Sequence, residues 1–238
     1  MKTADFKVLT FDCYGTLIDW ESGLLTALAP LRAKLSTPLT DDAVLQAFSR
    51  QESRQQALTP AMAYADLLAA VHGQLTASWG IPSDAAANER FGGSVGDWPA
   101  FPDTAEALRY LKRHFCLVIL SNVDRASFQA SNRRLKVVFD AIYTAQDIGS
   151  YKPSPRNFVY LLDRLAADGF ARETVLHVAQ SLFHDHAPAN AVGLASAWID
   201  RRHAVGGWGA TAPVAGNVRY DFRFTGLGAL AAAHAAGG

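Results

Sequence analysis

The residues of this chain best suited to chemistry stand where short apolar runs stop. The run 7–11 ends at Asp12, and Gly15 follows shortly after. The run 115–120 ends at Ser121-Asn122, and the run 175–179 ends at Gln180-Ser181, with Asp185 close behind. Lys152 lies in Ser150-Tyr151-Lys152-Pro153, at the entrance to a helical pattern. A carboxylate placed this way can attack an electrophilic carbon or phosphorus and form an ester or acyl phosphate. A lysine beside it keeps it ionised and oriented. A hydroxyl and an amide at a helix start can hold the anionic part of a substrate. A second carboxylate can position the lysine or activate water. Each residue alone has an ordinary structural use, as a turn residue, a helix cap or a solvated lysine. The inference rests on four compatible groups at the ends of separate elements.

Those elements imply an α/β fold. The runs 7–11, 115–120, 175–179 and 194–199 have the length and apolar content of buried parallel strands. The run 141–143 is a weaker one, and Tyr220, Phe222 and Phe224 alternate like an edge strand. Helical patterns lie between them. Asp103-Thr104-Ala105-Glu106 reads as a capping box, Ser154-Pro155 as a helix cap and first turn, and 185–192 as a short helix stopped by Gly193. The expected architecture is a doubly wound, parallel Rossmann-like sheet, whose ligands bind at the carboxyl ends of the strands. One interval breaks the alternation. Residues 19–97 carry no strand pattern, only helical segments near 23–35, 41–57, 60–79 and 82–91. They read as a helical cap inserted after the first strand, leaving 1–18 and 98–238 as the core.

Composition narrows the partners. The 238 residues are half hydrophobic, and 22 Lys and Arg balance 22 Asp and Glu. No basic field is available to attract nucleic acid or an anionic membrane, and no apolar stretch is long enough to span a bilayer. The first residues do not read as a signal peptide, so a cytoplasmic location is expected. Cys13 and Cys116 have no metal-ligand spacing and read as free thiols in buried surroundings, a disulfide between them being the less favoured alternative.

The ordered segments also resemble a known family. Phe11-Asp12-Cys13-Tyr14-Gly15-Thr16-Leu17, Leu120-Ser121-Asn122, Tyr151-Lys152-Pro153-Ser154-Pro155 and the stretch 180–185 resemble, in order, the four motifs of the haloacid dehalogenase-like hydrolase superfamily. The helical insertion is similar to that superfamily's cap. Phosphatases of the superfamily have a second Asp two residues after the nucleophile, where this chain has Tyr14, and an acid where it has Gln180. Tyr at the first of these positions is similar to the (S)-2-haloacid dehalogenase branch, which works without a metal.

The resemblance implies that Asp12 attacks C2 of a small carboxylic acid, that Lys152 and Thr16 orient it, and that Asp185 supports Lys152 and the hydrolytic water. It implies that Ser121 and Asn122 bind the substrate carboxylate and that Tyr14 lines the leaving-group pocket. No cofactor is expected; magnesium would enter only if the chain were a phosphatase. Family members are often dimers, so a homodimer is a further expectation. Four departures fall on the leaving-group side: Leu182 replaces an Asn, His184 an indole, Phe158 a Tyr, and the position of the cap arginine falls at or near Ala57, with Arg50 and Arg54 off register. His184 could serve a poorer leaving group or be a half-solvated helix-start residue. Trp20 could wall the pocket or pack the cap hinge, and His186 reads as surface. The alternatives to 2-haloacid dehalogenation are C–N cleavage of a strained ring acid by the same attack, a magnesium-dependent phosphatase, and an inactive binding relative.

Overall fold

The computed structural model describes residues 1–214 and 216–237. Six strands form one parallel sheet in the order β3-β2-β1-β4-β5-β6. They are β1 (Val8–Phe11), β2 (Cys116–Ser121), β3 (Ala141–Thr144), β4 (Val175–Ala179), β5 (Ala195–Ile199) and β6 (Phe222–Phe224). β1 lies between β2 and β4, pairing Phe11 with Ile119 on one side and with Val178 on the other. Chain order reverses across β1, which opens a crevice beyond its carboxyl end. Asp12 is the next residue.

Strand alternation sorts side chains onto two faces. Leu9, Phe11, Leu117, Ile119, Leu176 and Val178 join the larger core. Val8, Val118, Leu120 and Val175 face the smaller one, under Phe158, Leu161 and Leu165 of α8 (Pro155–Ala167). The expected edge strand is β6, which pairs with β5 from Ala197–Phe222 to Ile199–Phe224.

Between β1 and the core helix α5 (Thr104–Leu111) the chain forms α1 (Trp20–Arg32), α2 (Asp41–Leu58), α3 (Tyr64–Ser78) and α4 (Ala85–Gly92). The outgoing and returning chains pair where they cross: Asp19 N–H donates to Pro99 O, Phe101 N–H to Leu17 O, and Ile18 bridges Ala100. Asp19 caps α1 by accepting from Ser22 N–H, and Thr40 caps α2 by accepting from Ala43 N–H. The inward face of α2 begins apolar, at Val44, Leu45 and Phe48, and continues polar, at Glu52, Gln55 and Gln56, all of them buried. Asp124, the cap of α6 (Arg125–Leu135), also accepts from Ala65 N–H of α3, which ties this helical layer to the core.

Three local expectations need correction. Asp103 makes no capping bond at the start of α5; its carboxylate accepts instead from Arg201 and from Gly228 N–H. Ser154 makes no side-chain cap either, and Pro155 alone marks the start of α8. His186 is not at the surface. It is buried with no exposed area, its ring nitrogens bonded to Ser196 Oγ and Ala179 O, at the end of a π-helical turn (Leu182–His186) that leads into α9 (Ala187–Ala191). The two cysteines are unpaired, Cys13 buried and Cys116 partly so.

The helical layer approaches the core closely at Gly23. A Cβ there would stand 2.3 Å from the ring of Trp98, itself fully buried. Overpacking of this kind costs about 1–3 kcal/mol. Gly23→Ala should lower unfolding free energy by that amount in urea titration, whereas Gly80→Ala, whose Cβ meets open space at a φ of +68°, should lose only backbone strain.

Candidate active site

Lys152 is the centre of the site. Its ammonium donates to Asp12 Oδ1 at 2.9 Å, to Asp185 Oδ1 at 2.6 Å and to Leu120 O at 2.9 Å. Three acceptors exhaust its three N–H donors. All of this lies out of water: Lys152 and Asp185 are 1% exposed and Asp12 is 7% exposed. The lysine backbone is clamped as well. Lys152 N–H donates to Asn122 Oδ1 at 2.7 Å, and Asn122 Nδ2–H donates back to Lys152 O at 3.0 Å. The Asn122 side chain is therefore committed to the lysine loop. Ser121 Oγ is buried without a hydrogen-bond partner.

The second oxygen of Asp12 accepts from Thr16 Oγ1 at 2.7 Å, and Thr16 in turn accepts from Gln180 N–H at 3.0 Å. The turn between them requires Gly15, which has a φ of +91° and packs where a Cβ would stand 2.9 Å from Trp20 Nε1.

Two residues not singled out from the sequence complete the frame. His177 on β4 bonds Asp185 Oδ1 through Nε2 at 2.9 Å and Thr10 Oγ1 through Nδ1 at 2.8 Å, with Phe158 edge-on against its ring. Arg201, just past β5, donates to Thr16 O from Nε and Nη2, binds both oxygens of Asp103 through Nη1, and lies 4.0 Å over Phe101. It fixes the loop that carries Thr16.

Burial works to raise Asp185, but Lys152 and His177 outweigh it and hold this carboxyl well below the usual range. Burial likewise opposes the charge on Lys152, and the two carboxylates outweigh it and raise the ammonium. For Asp12, burial and the nearby Asp185 charge raise the carboxyl against the pull of Lys152 and Thr16. The site thus sets a raised carboxyl next to one that is held low. His184 is half-buried, and desolvation lowers it to about 4, so it is neutral at pH 7; its Nδ1 pairs with Ser181 Oγ.

A cavity of about 40 Å³ opens on Asp12. A water needs about 10–15 Å³ on this measure, so the space suits a molecule of a few heavy atoms. Core residues Asp12, Tyr14, Asn122, Lys152, Gln180, Ser181, His184, Asp185 and Thr211 line one side; Trp20, Glu52, Gln56 and Tyr64 from α1, α2 and α3 line the other. Of the residues expected at the site, Ser121 and Thr16 are not among the liners, and both are buried beside it. Tyr14 presents its ring, while its hydroxyl turns away to Ser131 Oγ and Ser127 O. Trp20 does two jobs: it lines the cavity and packs edge-on against Phe48.

The leaving-group departures sort in space. Phe158 is buried in the smaller core. Leu182 lines a separate hollow near Trp198 and Trp208. Ala57, Arg50 and Arg54 are exposed, so none of them occupies the place expected of a cap arginine. The charged residue that α2 presents to the cavity is Glu52, which was missed. It lies on the helical face of Leu45 and Phe48, and that i, i+3, i+7 phase was the signal that could have found it.

The haloacid dehalogenase-like hydrolase family matches residues 6–193 of the chain, and the chain belongs to that family of hydrolases. An (S)-2-haloacid dehalogenase from Burkholderia cepacia is 27% identical over 170 residues, 68% of this chain and 71% of that protein. Among solved structures, the L-2-haloacid dehalogenase of Xanthobacter autotrophicus with chloropropionic acid covalently bound superposes with a TM-score of 0.77 at 22% identity, over 95% of this chain and 97% of that one. A magnesium-bound HAD-hydrolase from Bacillus subtilis superposes nearly as well, with a TM-score of 0.75 at 19% identity over 94% and 96%. At these identities the structures establish the fold, and the site residues must carry the chemistry.

Removing the shared cation tests the network. Lys152→Met leaves two buried carboxylates without a counter-ion and should cost about 3–5 kcal/mol at neutral pH. The unpaired carboxyls would then protonate more readily folded than unfolded. The loss should therefore shrink as pH falls through the carboxylate range, as chemical denaturation at pH 7 and pH 4.5 would read.

Proposed function

We propose that the protein is a metal-independent 2-haloacid dehalogenase that forms an aspartyl ester at C2 of a small carboxylic acid. The observation that carries this reading is Asp12 itself: a buried carboxylate at the sheet's switch point, with one oxygen on Lys152 and the other on Thr16, opening on a cavity of only a few heavy atoms.

The ester forms as an Asp12 oxygen bonds to C2 and the bond from C2 to the leaving group breaks, its electron pair departing with that group. Burial without full compensation makes Asp12 a stronger nucleophile than a solvated carboxylate. Lys152 cancels charge next to the forming bond. Ser121, buried beside the cavity with no partner for its hydroxyl among the described residues, is the donor assigned to the substrate carboxylate once the substrate enters; Asn122 contributes by holding Lys152 in place. Among the described residues Asp185 Oδ2 is buried without a partner, and it would accept from the water that cleaves the ester. Water then adds to the ester carbonyl, the alcohol leaves, and Asp12 is restored. Tyr14 and Trp20 wall the cavity with apolar surface, and the helices over it act as the cap.

The donor set suits magnesium poorly. Mg²⁺ favours six hard oxygens in a near-octahedral array. Asp12 and Asp185 are the carboxylates at the motif positions, and both are already paired with Lys152; Tyr14 and Gln180 stand where a phosphatase would add acids. Among the described residues no three His, Cys, Asp or Glu side chains converge into a metal site, and no helix is long and apolar enough to cross a membrane.

A panel of 2-halo acids assayed for halide release in EDTA tests this reading. Release of halide from one enantiomer, with inversion to the 2-hydroxy acid, is the expected result. Asp12→Asn should reduce it by at least about 10⁴-fold. No release across the panel, together with magnesium-dependent hydrolysis of a phosphate ester, would replace it with the phosphatase reading.

A further inference from the structure

The cap side of the cavity carries an acid and no base. Glu52 is 4% exposed, faces the space above Asp12, and accepts one hydrogen bond, from Tyr64 Oη at 2.8 Å through Oε1. Among the described residues Oε2 makes no hydrogen bond. Among the described residues, a departing anion would find no free cation here. All three Lys152 donors are committed, Arg50 and Arg54 on α2 point to solvent, and Tyr14 has turned its hydroxyl away. An ionised Glu52 would repel both the substrate carboxylate and the leaving group. Its neutral form would do the opposite, because a carboxylic acid donates a strong hydrogen bond.

We propose that Glu52 is a second catalytic residue, a general acid that delivers its proton to the leaving atom, and that the enzyme is thereby suited to basic, poor leaving groups, fluoride first among them. This rests on the ester mechanism proposed above. In the step, the bond from Asp12 oxygen to C2 forms, the C2–F bond breaks, and fluorine takes its electron pair together with the Glu52 proton and leaves as HF. Glu52 is left ionised. Hydrolysis of the ester by water restores Asp12 and releases one proton, which returns Glu52 to its acid form; the sum is fluoroacid plus water giving hydroxyacid plus HF. His184 does not compete for the role, being neutral and bonded to Ser181.

The protonation state fits. Burial raises Glu52 to about 7, and the Tyr64 bond holds it down in part. The phenols facing it, Tyr64, Tyr14 and Tyr151, are all raised by burial and stay protonated. The charged groups across the cavity, Asp12, Lys152 and Asp185, carry a net negative charge that favours the acid form, and a bound substrate carboxylate adds to it.

Fluoride and chloride release from 2-fluoropropionate and 2-chloropropionate, measured as kcat/KM against pH, tests the proposal. Wild-type fluoride release should fall tenfold per unit above about pH 7 while chloride release falls less. Glu52→Gln should lose about 100-fold in fluoride release, lose much less in chloride release so that the fluoride-to-chloride ratio falls, and show no basic limb. Tyr64→Phe, which removes only the bond that stabilises ionised Glu52, should move that limb to higher pH. A fluoride-to-chloride ratio and a basic limb unchanged in Glu52→Gln would overturn the role of Glu52 and leave the dehalogenase intact. Release of neither halide by the wild type would overturn the dehalogenase reading itself, and this one with it.

Discussion

The ammonium of Lys152, shared by Asp12, Asp185 and Leu120 O, is the contact on which the rest of the structure depends. Two buried carboxylates cannot both stay ionised side by side without a cation between them. Lys152 supplies it only if its backbone is held in register, which Asn122 does from the end of β2, and only if Asp185 is aimed inward, which His177 does from within β4. The ends of β1, β2 and β4 and the loop before α8 thus converge on one positive charge that is satisfied from several directions. The parallel sheet is the scaffold that makes this possible: its polar loops gather at one edge, and β1 at the reversal of chain order puts Asp12 in the middle of them.

In the proposed mechanism, the imbalance within this network is the source of reactivity. Asp185 is bonded to both Lys152 and His177, which hold its carboxyl low. Asp12 is bonded to Lys152 and Thr16, and burial with the nearby Asp185 charge raises its carboxyl. An ion pair optimised for stability would distribute the cation evenly or replace the trio with apolar groups. The arrangement here keeps one carboxylate short of compensation, next to a small cavity, and ties the loop behind it through Thr16, Gln180 N–H and Arg201 so that the carboxylate cannot turn away. The helices above line the other side of that cavity. Their inner surface turns from apolar to polar along α2, at the point where it stops packing against the helical core and starts facing Asp12.

Much of this was legible in the sequence because the signals were local. Apolar runs that stop abruptly mark strands and their functional ends, so Asp12, Ser121, Lys152 and Asp185 could be placed at one rim, and the six parallel strands follow the pattern of those runs. What could not be read depended on tertiary partners. His177 is hidden in the middle of a strand, where a histidine looks like one polar interruption, and its meaning comes from Thr10 and Asp185 on either side. Arg201 gains its role from Asp103, nearly a hundred residues earlier. His186 looked exposed because nothing nearby in sequence shows that Ser196 and Ala179 O satisfy its ring. Glu52 stands between Arg50 and Arg54, which drew the reading only as off-register candidates for a cap arginine; the helical phase from Leu45 through Phe48 puts it inside. The capping box at Asp103 failed for the same reason, since Arg201 and Gly228 claimed the carboxylate.

The central claim is that Asp12 becomes covalently attached to carbon during turnover. A single turnover of excess enzyme with 2-chloropropionate in oxygen-18 water, followed by mass spectrometry of the peptide containing Asp12, tests it directly. Water attacks the ester carbonyl in this account, so one oxygen-18 atom should enter the Asp12 carboxylate and the released 2-hydroxypropionate should be unlabelled. Label in the product and none in Asp12 would mean that water attacks the substrate itself, and would contradict the account.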